Sequence, residues 1–119
     1  MGMMSCTVKS QEWLPYVTKY YAPPCIFRMK DKAMLQTDLN AIAGTFKMIF
    51  GGIEGYSYST LDSYDEMIRL NSQTVMATMT FSRWKADGTK ISTDKATYIW
   101  GTLPDDPTWK MSFVALHFD

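Results

Sequence analysis

The chain has 119 residues, of which 46% are apolar, 14% aromatic and 20% charged. A chain of that length buries ~65% of the surface its unfolded form exposes, so one packed domain over 1–119 follows without disulfides or a structural metal, and wholesale disorder is excluded. Twelve basic residues offset twelve acidic ones and neither sign forms a block, which removes the electrostatic footprint of a nucleic-acid binder or an anionic-membrane binder.

No apolar run approaches the ~18 residues of a membrane span, and the start lacks a basic-then-apolar leader pattern, so a cytoplasmic protein is expected. Met1, Met3 and Met4 offer alternative starts, and residues 1–9 are expected to be flexible. Cys6 and Cys25 are too few and too far apart for a zinc pattern or a disulfide framework; both are expected to be reduced, with Cys25 in the core.

Ser10 is a candidate cap for a short helix running through Trp13 to about Tyr21, where Pro15 is tolerated in the first turns and Pro23-Pro24 mark the end. Cys25–Arg28 and Ala33–Thr37 read as short strands joined by the charged turn Met29-Lys30-Asp31-Lys32. Leu39, Ile42, Ala43, Phe46, Ile49, Phe50 and Ile53 recur at intervals of three and four, the signature of an amphipathic helix. Thr37 or Asp38 caps its start, and Gly51-Gly52 supply left-handed residues to stop it.

From Gly55 the period changes to two. Tyr56–Leu70, Thr74–Lys85, Lys90–Leu103 and Trp109–Phe118 are rich in β-branched and aromatic residues and are separated by Asn71-Ser72-Gln73, Asp87-Gly88 and Pro104-Asp105-Asp106-Pro107, which predicts four antiparallel strands. Strict alternation in the last strand puts Trp109, Met111, Phe113, Ala115 and His117 on one face and Val114, Leu116 and Phe118 on the other. Both faces are apolar. One is expected to receive the helix, and the other, together with Trp84, to be covered by a second copy of the chain.

The order of a helix, Tyr20-Tyr21-Ala22-Pro23-Pro24-Cys25, small strands, a glycine-terminated helix, Gly55-Tyr56-Ser57-Tyr58-Ser59, Phe81-Ser82-Arg83-Trp84-Lys85-Ala86-Asp87-Gly88, Tyr98 and Trp109-Lys110-Met111 resembles the nuclear-transport-factor-two-like superfamily over about residues 10–118. That group includes SnoaL-like and ketosteroid-isomerase-like proteins. The resemblance implies an α+β fold of cystatin-like type: a cone-shaped, curved antiparallel sheet wrapped around helices, with a pocket at the open end and dimerisation through the outer sheet face. The N-terminal helix is shortened relative to that pattern.

Two functional readings stand side by side. The first is a small-molecule-binding domain with an apolar pocket and no clear catalytic set, lined by Tyr20, Tyr58, Met79, Tyr98, Trp109, Phe113 and His117. The second is a SnoaL-like isomerase, cyclase or dehydratase acting on a small hydrophobic carbonyl compound. In it His117, the single histidine, serves as base, and Tyr98, which shares a strand face with Asp94 and Trp100, donates a hydrogen bond. Against the catalytic pair stand the ordinary fates of such residues: a lone histidine near a terminus is often at the surface, and a core tyrosine often serves only its backbone neighbours. A pair of carboxylates for carbon-acid chemistry is not evident, since Asp62, Asp65 and Glu66 read as solvated. No cofactor or metal is expected, because one histidine without clustered cysteines or carboxylates makes no ligand set, and Gly51-Gly52 follow a helix where a phosphate cradle precedes one. The expected partners are a second copy of the chain and a small apolar or aromatic ligand, with neither nucleic acid nor membrane. The ten methionines are spread along the chain as adaptable core and pocket filler.

Overall fold

A computed structural model describes residues 7–9 and 13–117. Its elements in chain order are β1 (Thr7–Lys9), α1 (Trp13–Tyr20), β2 (Tyr21–Arg28), β3 (Ala33–Gln36), α2 (Leu39–Gly51), β4 (Tyr56–Asn71), β5 (Thr74–Lys85), β6 (Lys90–Leu103) and β7 (Asp106–Leu116). The strands form one sheet in the order β1-β4-β5-β6-β7-β2-β3. The α+β class and the antiparallel run from β4 to β7 match the sequence expectation. The sheet is mixed, however, because β2 pairs with β7 in parallel. Pairing between segments so far apart in the chain has no local signature to read.

At the N-terminus, Thr7–Lys9 pair with Thr60–Tyr58, where flexibility was expected. Ser10 and Cys6, like Phe118, lie outside the described residues. Helix α1 buries Trp13, Val17 and Tyr20, one stripe at helical spacing. It ends at Tyr20, and Pro23-Pro24 fall inside β2, within the stretch where pairing to β7 is irregular. That position suits residues lacking an N–H to give to a ladder. The β2–β3 hairpin forms as read, closed by the Met29 N–H donating to the Lys32 carbonyl at 2.8 Å.

The α2 stripe is also as expected, with Ile42, Phe46 and Phe50 buried. Asp38 is its cap: the carboxylate accepts the Ala41 N–H at 2.8 Å. Thr45 joins the buried face because its hydroxyl donates back to the Ala41 carbonyl at 3.1 Å. The stop differs from the reading. Gly52 closes the helix in right-handed conformation, φ −82°, and the left-handed residue is Gly55, φ 77°, at the entry to β4.

Both helices lie on the inner face of the sheet. Trp13 of α1 stacks on Phe46 and Phe50 of α2 at 5.2 and 4.9 Å, and Tyr56 of β4 stacks on Phe50 at 4.8 Å. Irregular pairing at Asp62 and Asp65 inserts extra residues into β4; such bulges bend a strand and let the sheet curl around the helices.

A further bulge overturns the face assignment in β7. Ile99 pairs with Phe113 but Trp100 pairs with Met111, so Ser112 is an extra residue. Beyond it the alternation inverts: Val114 is buried in the core, Leu116 packs on it, and Phe113, Ala115 and His117 turn to the outer face. Val114 and Leu116 are therefore core residues and not the outer surface that strict alternation predicts. Trp84 does lie outside, stacked on Tyr58 at 6.2 Å with its indole N–H on Thr60 at 2.8 Å. No helix among the described residues is long and apolar enough to cross a membrane.

Candidate functional site

Between the two helices and the concave face of the sheet lies a cavity of about 360 Å³, toward the small end of the ~300–1,000 Å³ range of small-molecule sites. Helix α1 contributes Trp13 and Tyr16; α2 contributes Phe46, Ile49 and Phe50; Phe27, Leu61, Phe81, Val114 and Leu116 supply the sheet floor. The wall is thus largely aromatic and aliphatic. Its polar members are Ser59, Arg83, Ser92, Asp94, Tyr16 and Tyr98.

Arg83 is the unusual one. It sits on the inner face of β5, directly opposite Ser59 of β4 and Ser92 of β6 in the two ladders, and is only 6% exposed. Its guanidinium lies 4.7 Å from the Phe50 ring centre and 5.4 Å from that of Phe81, contacts that favour the flat, weakly hydrated guanidinium over an ammonium. Nη1 donates to Ser59 Oγ at 2.9 Å, and Nε stands 3.5 Å from Asp94 Oδ2. Ser59 is held in turn by the Tyr56 hydroxyl at 2.6 Å, and Asp94 accepts from Ser92 at 2.9 Å. The Nη2 hydrogens of Arg83 have no partner among the described residues.

Tyr98 projects from β6 into the same cavity. Burial pushes its phenol well above the usual value, with the nearby Arg83 charge pulling weakly the other way. Tyr16 is raised for the same first reason, reinforced by Tyr98 and Tyr20. Both phenols therefore keep their protons at neutral pH and serve as hydrogen-bond donors. The Tyr98 hydroxyl, like Nη2, has no hydrogen-bond partner among the described residues. Asp94 is the one carboxylate in the lining.

Of the seven pocket residues expected from sequence, Tyr98 lines the cavity. Tyr20 and Met79 point inward but are packed in the core, and Trp109 packs against that core without reaching the lining. Tyr58 is on the outer face with Trp84, and the Ser112 bulge sends Phe113 and His117 there too. The catalytic pairing of His117 with Tyr98 is not formed. His117 Nε2 sits 2.7 Å from the Thr97 hydroxyl, on the exposed side, while Tyr98, the next residue along β6, faces inward; successive strand residues point to opposite faces. The placement of Asp94 and Trp100 on the same side as Tyr98 is as read.

Arg83 was missed as a site residue. Its signal was in the sequence, since it is the charged member of the alternating series Val75, Ala77, Met79, Phe81, Arg83, and a charge at an inward position is expensive unless it is used. Among the described residues no cluster of histidine, cysteine and carboxylate side chains is arranged to hold a metal. Cys25 is fully buried, and burial pushes its thiol up to about 12.

No family model matches the chain, and no curated protein does. Solved structures match it over most of its length. A nuclear-transport-factor-two-like protein of unknown function from Shewanella oneidensis is 12% identical, with a TM-score of 0.63, covering 90% of this chain and 88% of that one. Aln2 from a Streptomyces species is 12% identical, with a TM-score of 0.66, over 91% of this chain and 77% of its own. A protein of the same superfamily from Salmonella enterica is 16% identical, with a TM-score of 0.60, over 90% and 78%. At such identities the likeness concerns architecture, and it agrees with the helices and curved sheet described above: the chain has the nuclear-transport-factor-two-like fold.

Proposed function

We propose that the protein binds a small, largely apolar molecule in the inner cavity and receives its carbonyl oxygen on Arg83 and Tyr98. The observation that carries this reading is a buried guanidinium with an unpartnered edge, beside an unpartnered phenol, in an otherwise apolar chamber. Donors that face the cavity without a protein acceptor are open to a ligand oxygen, which can take the place of loosely held solvent there. An uncharged carbonyl suits the site better than a carboxylate. Asp94 already balances the Arg83 charge, so a bound anion adds an uncompensated buried charge. The aromatic walls from Trp13, Phe46, Phe50 and Phe81 favour a flat ligand.

Calorimetric titration with an aryl ketone, the matching aryl carboxylate and the matching hydrocarbon tests this. The ketone is expected to bind most tightly, and Arg83→Met to erase its advantage over the hydrocarbon. Absence of binding by all three, or preference for the carboxylate, overturns the reading.

A second reading, an isomerase or dehydratase acting on such a carbonyl compound, is favoured by the position of Asp94 within the same lining. In it Asp94 takes a proton from the carbon beside the carbonyl, while Arg83 and Tyr98 hold the oxygen as negative charge develops. The test is exchange of that carbon-bound hydrogen for deuterium, followed by NMR. Exchange by the wild type that is lost in Asp94→Asn supports chemistry, and no exchange leaves a binding protein.

A further inference from the structure

The Arg83 guanidinium is flat, and the Phe50 and Phe81 rings, 4.7 and 5.4 Å away, fix its plane without fixing its rotation within that plane. In-plane orientation falls to its edges. Asp94 stands 3.5 Å from Nε, and the one hydrogen bond to the guanidinium among the described residues runs from Nη1 to Ser59 Oγ at 2.9 Å. Ser59 is itself only 6% exposed. A serine hydroxyl turns freely unless a second partner holds it.

That partner is Tyr56, whose hydroxyl lies 2.6 Å from Ser59 Oγ. Strict alternation counted back from Ser59 puts Tyr56 on the outer face of the sheet. Tyr56 pairs with Lys85 and Tyr58 with Trp84, however, so Ser57 is an extra residue in β4, and this bulge returns Tyr56 to the inner side. There its ring stacks on Phe50 at 4.8 Å and on Trp13 at 6.4 Å. Burial raises its phenol, which therefore keeps its proton at neutral pH. Tyr56 is not part of the cavity lining. It touches both helices through its ring and the anchor of Arg83 through its oxygen.

We propose that Tyr56 is a positioning residue for the carbonyl site: through Ser59 it fixes the in-plane orientation of Arg83 and keeps Nη2 turned to the cavity. This rests on the carbonyl-binding function proposed above and names the residue that sets its selectivity. Hydrogen-bonded chains of this kind hold a recognition group to the narrow range of directions that a ligand acceptor requires. Phe50 adds a second link, because it walls the cavity and lies against both the Tyr56 ring and the guanidinium. A ligand body that fits beside Phe50 leaves the donor aimed; one that pushes Phe50 aside moves Tyr56 and, with it, Arg83. Selection for the oxygen and selection for the shape of the ring are thereby coupled at one residue outside the lining.

Tyr56→Phe keeps the ring stacks and removes only the oxygen, and two measurements on it test the proposal. In calorimetric titration the affinity for an aryl ketone is expected to fall about fivefold, the worth of one modest hydrogen bond, while that for the matching hydrocarbon stays within twofold. Ser59→Ala is expected to cost the ketone as much, and both changes together no more than either alone, since they break one chain. The second measurement needs no ligand. Nitrogen-15 NMR of the arginine side chains reads rotation about the Nε–Cζ bond, with the exposed Arg28 and Arg69 as internal references. Arg83 is expected to show separate Nη1 and Nη2 signals in the wild type and exchange several times faster in Tyr56→Phe, with Arg28 and Arg69 unchanged. Unchanged Arg83 rotation, additive losses in the double variant, or a wild-type preference for the ketone that Tyr56→Phe leaves intact overturns the proposal. A wild type without that preference overturns the carbonyl-binding function instead, and the rotation of Arg83 then decides by itself whether Tyr56 positions the guanidinium.

Discussion

The Arg83 guanidinium lies over the Phe50 ring at 4.7 Å, so a cation on β5 and an aromatic on α2 together form one wall of the cavity. The pairing ties helix to sheet at the place where the chain is least uniformly apolar. Its cost is the desolvation of a charge, offset by Asp94, Ser59 and two ring faces.

Removing that charge while keeping the stem therefore destabilises the protein by leaving Asp94 without its cation. Arg83→Met is expected to cost about 1–3 kcal/mol, less than breaking a fully buried pair because Asp94 is partly solvated. Urea unfolding measures it. Arg83→Met combined with Asp94→Asn is expected to cost less than the two single losses added together, the coupling of groups in contact.

The Asp38 cap is local and separable from the site. Asp38→Ala is expected to cost about 1 kcal/mol, and Asp38→Ser to recover most of it, because a serine oxygen also reaches the third N–H of the helix. Equal losses for the two variants in urea unfolding contradict this.

His117 hydrogen-bonds the Thr97 hydroxyl on the exposed side of the sheet. His117→Ala is expected to change stability by less than ~0.5 kcal/mol and to leave the affinity of a cavity ligand within twofold of wild type. A large loss of ligand affinity in calorimetry would return His117 to the site.

Alkaline and acid limits of stability follow from opposite shifts. The Cys25 thiol is pushed up to about 12, and the phenols of Tyr16, Tyr21 and Tyr98 are raised, all chiefly by burial. The unfolded chain then loses protons first, so stability is full below the ordinary thiol range and falls as pH rises through it and through the phenol range. Asp65, Asp87 and Asp106 are held below the usual carboxylate range by hydrogen bonds from Thr80, Thr89 and Thr108; their contribution is present at neutral pH and is lost as pH falls through that range. Denaturation midpoints between acid and alkaline pH are expected to trace a plateau with both edges. In the native protein at mildly alkaline pH, peptide mapping after alkylation is expected to find Cys25 unmodified, and to find it modified in urea.

The helical stripe Ile42, Phe46, Phe50, the Asp38 cap, the β2–β3 turn and the four-strand meander were all legible in the sequence, because each depends on spacing within one short segment. Those elements together with the order of aromatic and glycine landmarks were enough to anticipate the fold. The site was less legible. Tyr98, with Asp94 beside it in the alternation, was placed inward correctly, whereas Phe113 and His117 were assigned to the wrong face by a single residue.

Sequence alone determined the two helices, the four long strands and the apolar stripe of α2, since backbone sterics and the periods of 3.6 and 2 act over a few residues. Tertiary structure decided the rest through pairing between distant strands. The Ser112 bulge exists only relative to Ile99 and Trp100 on β6, and it chooses which half of β7 meets the cavity. The Arg83 site likewise exists only once α2 lays Phe50 over β5 and β6 brings Asp94 alongside, because a charge has no defined partner until the sheet has assembled around it.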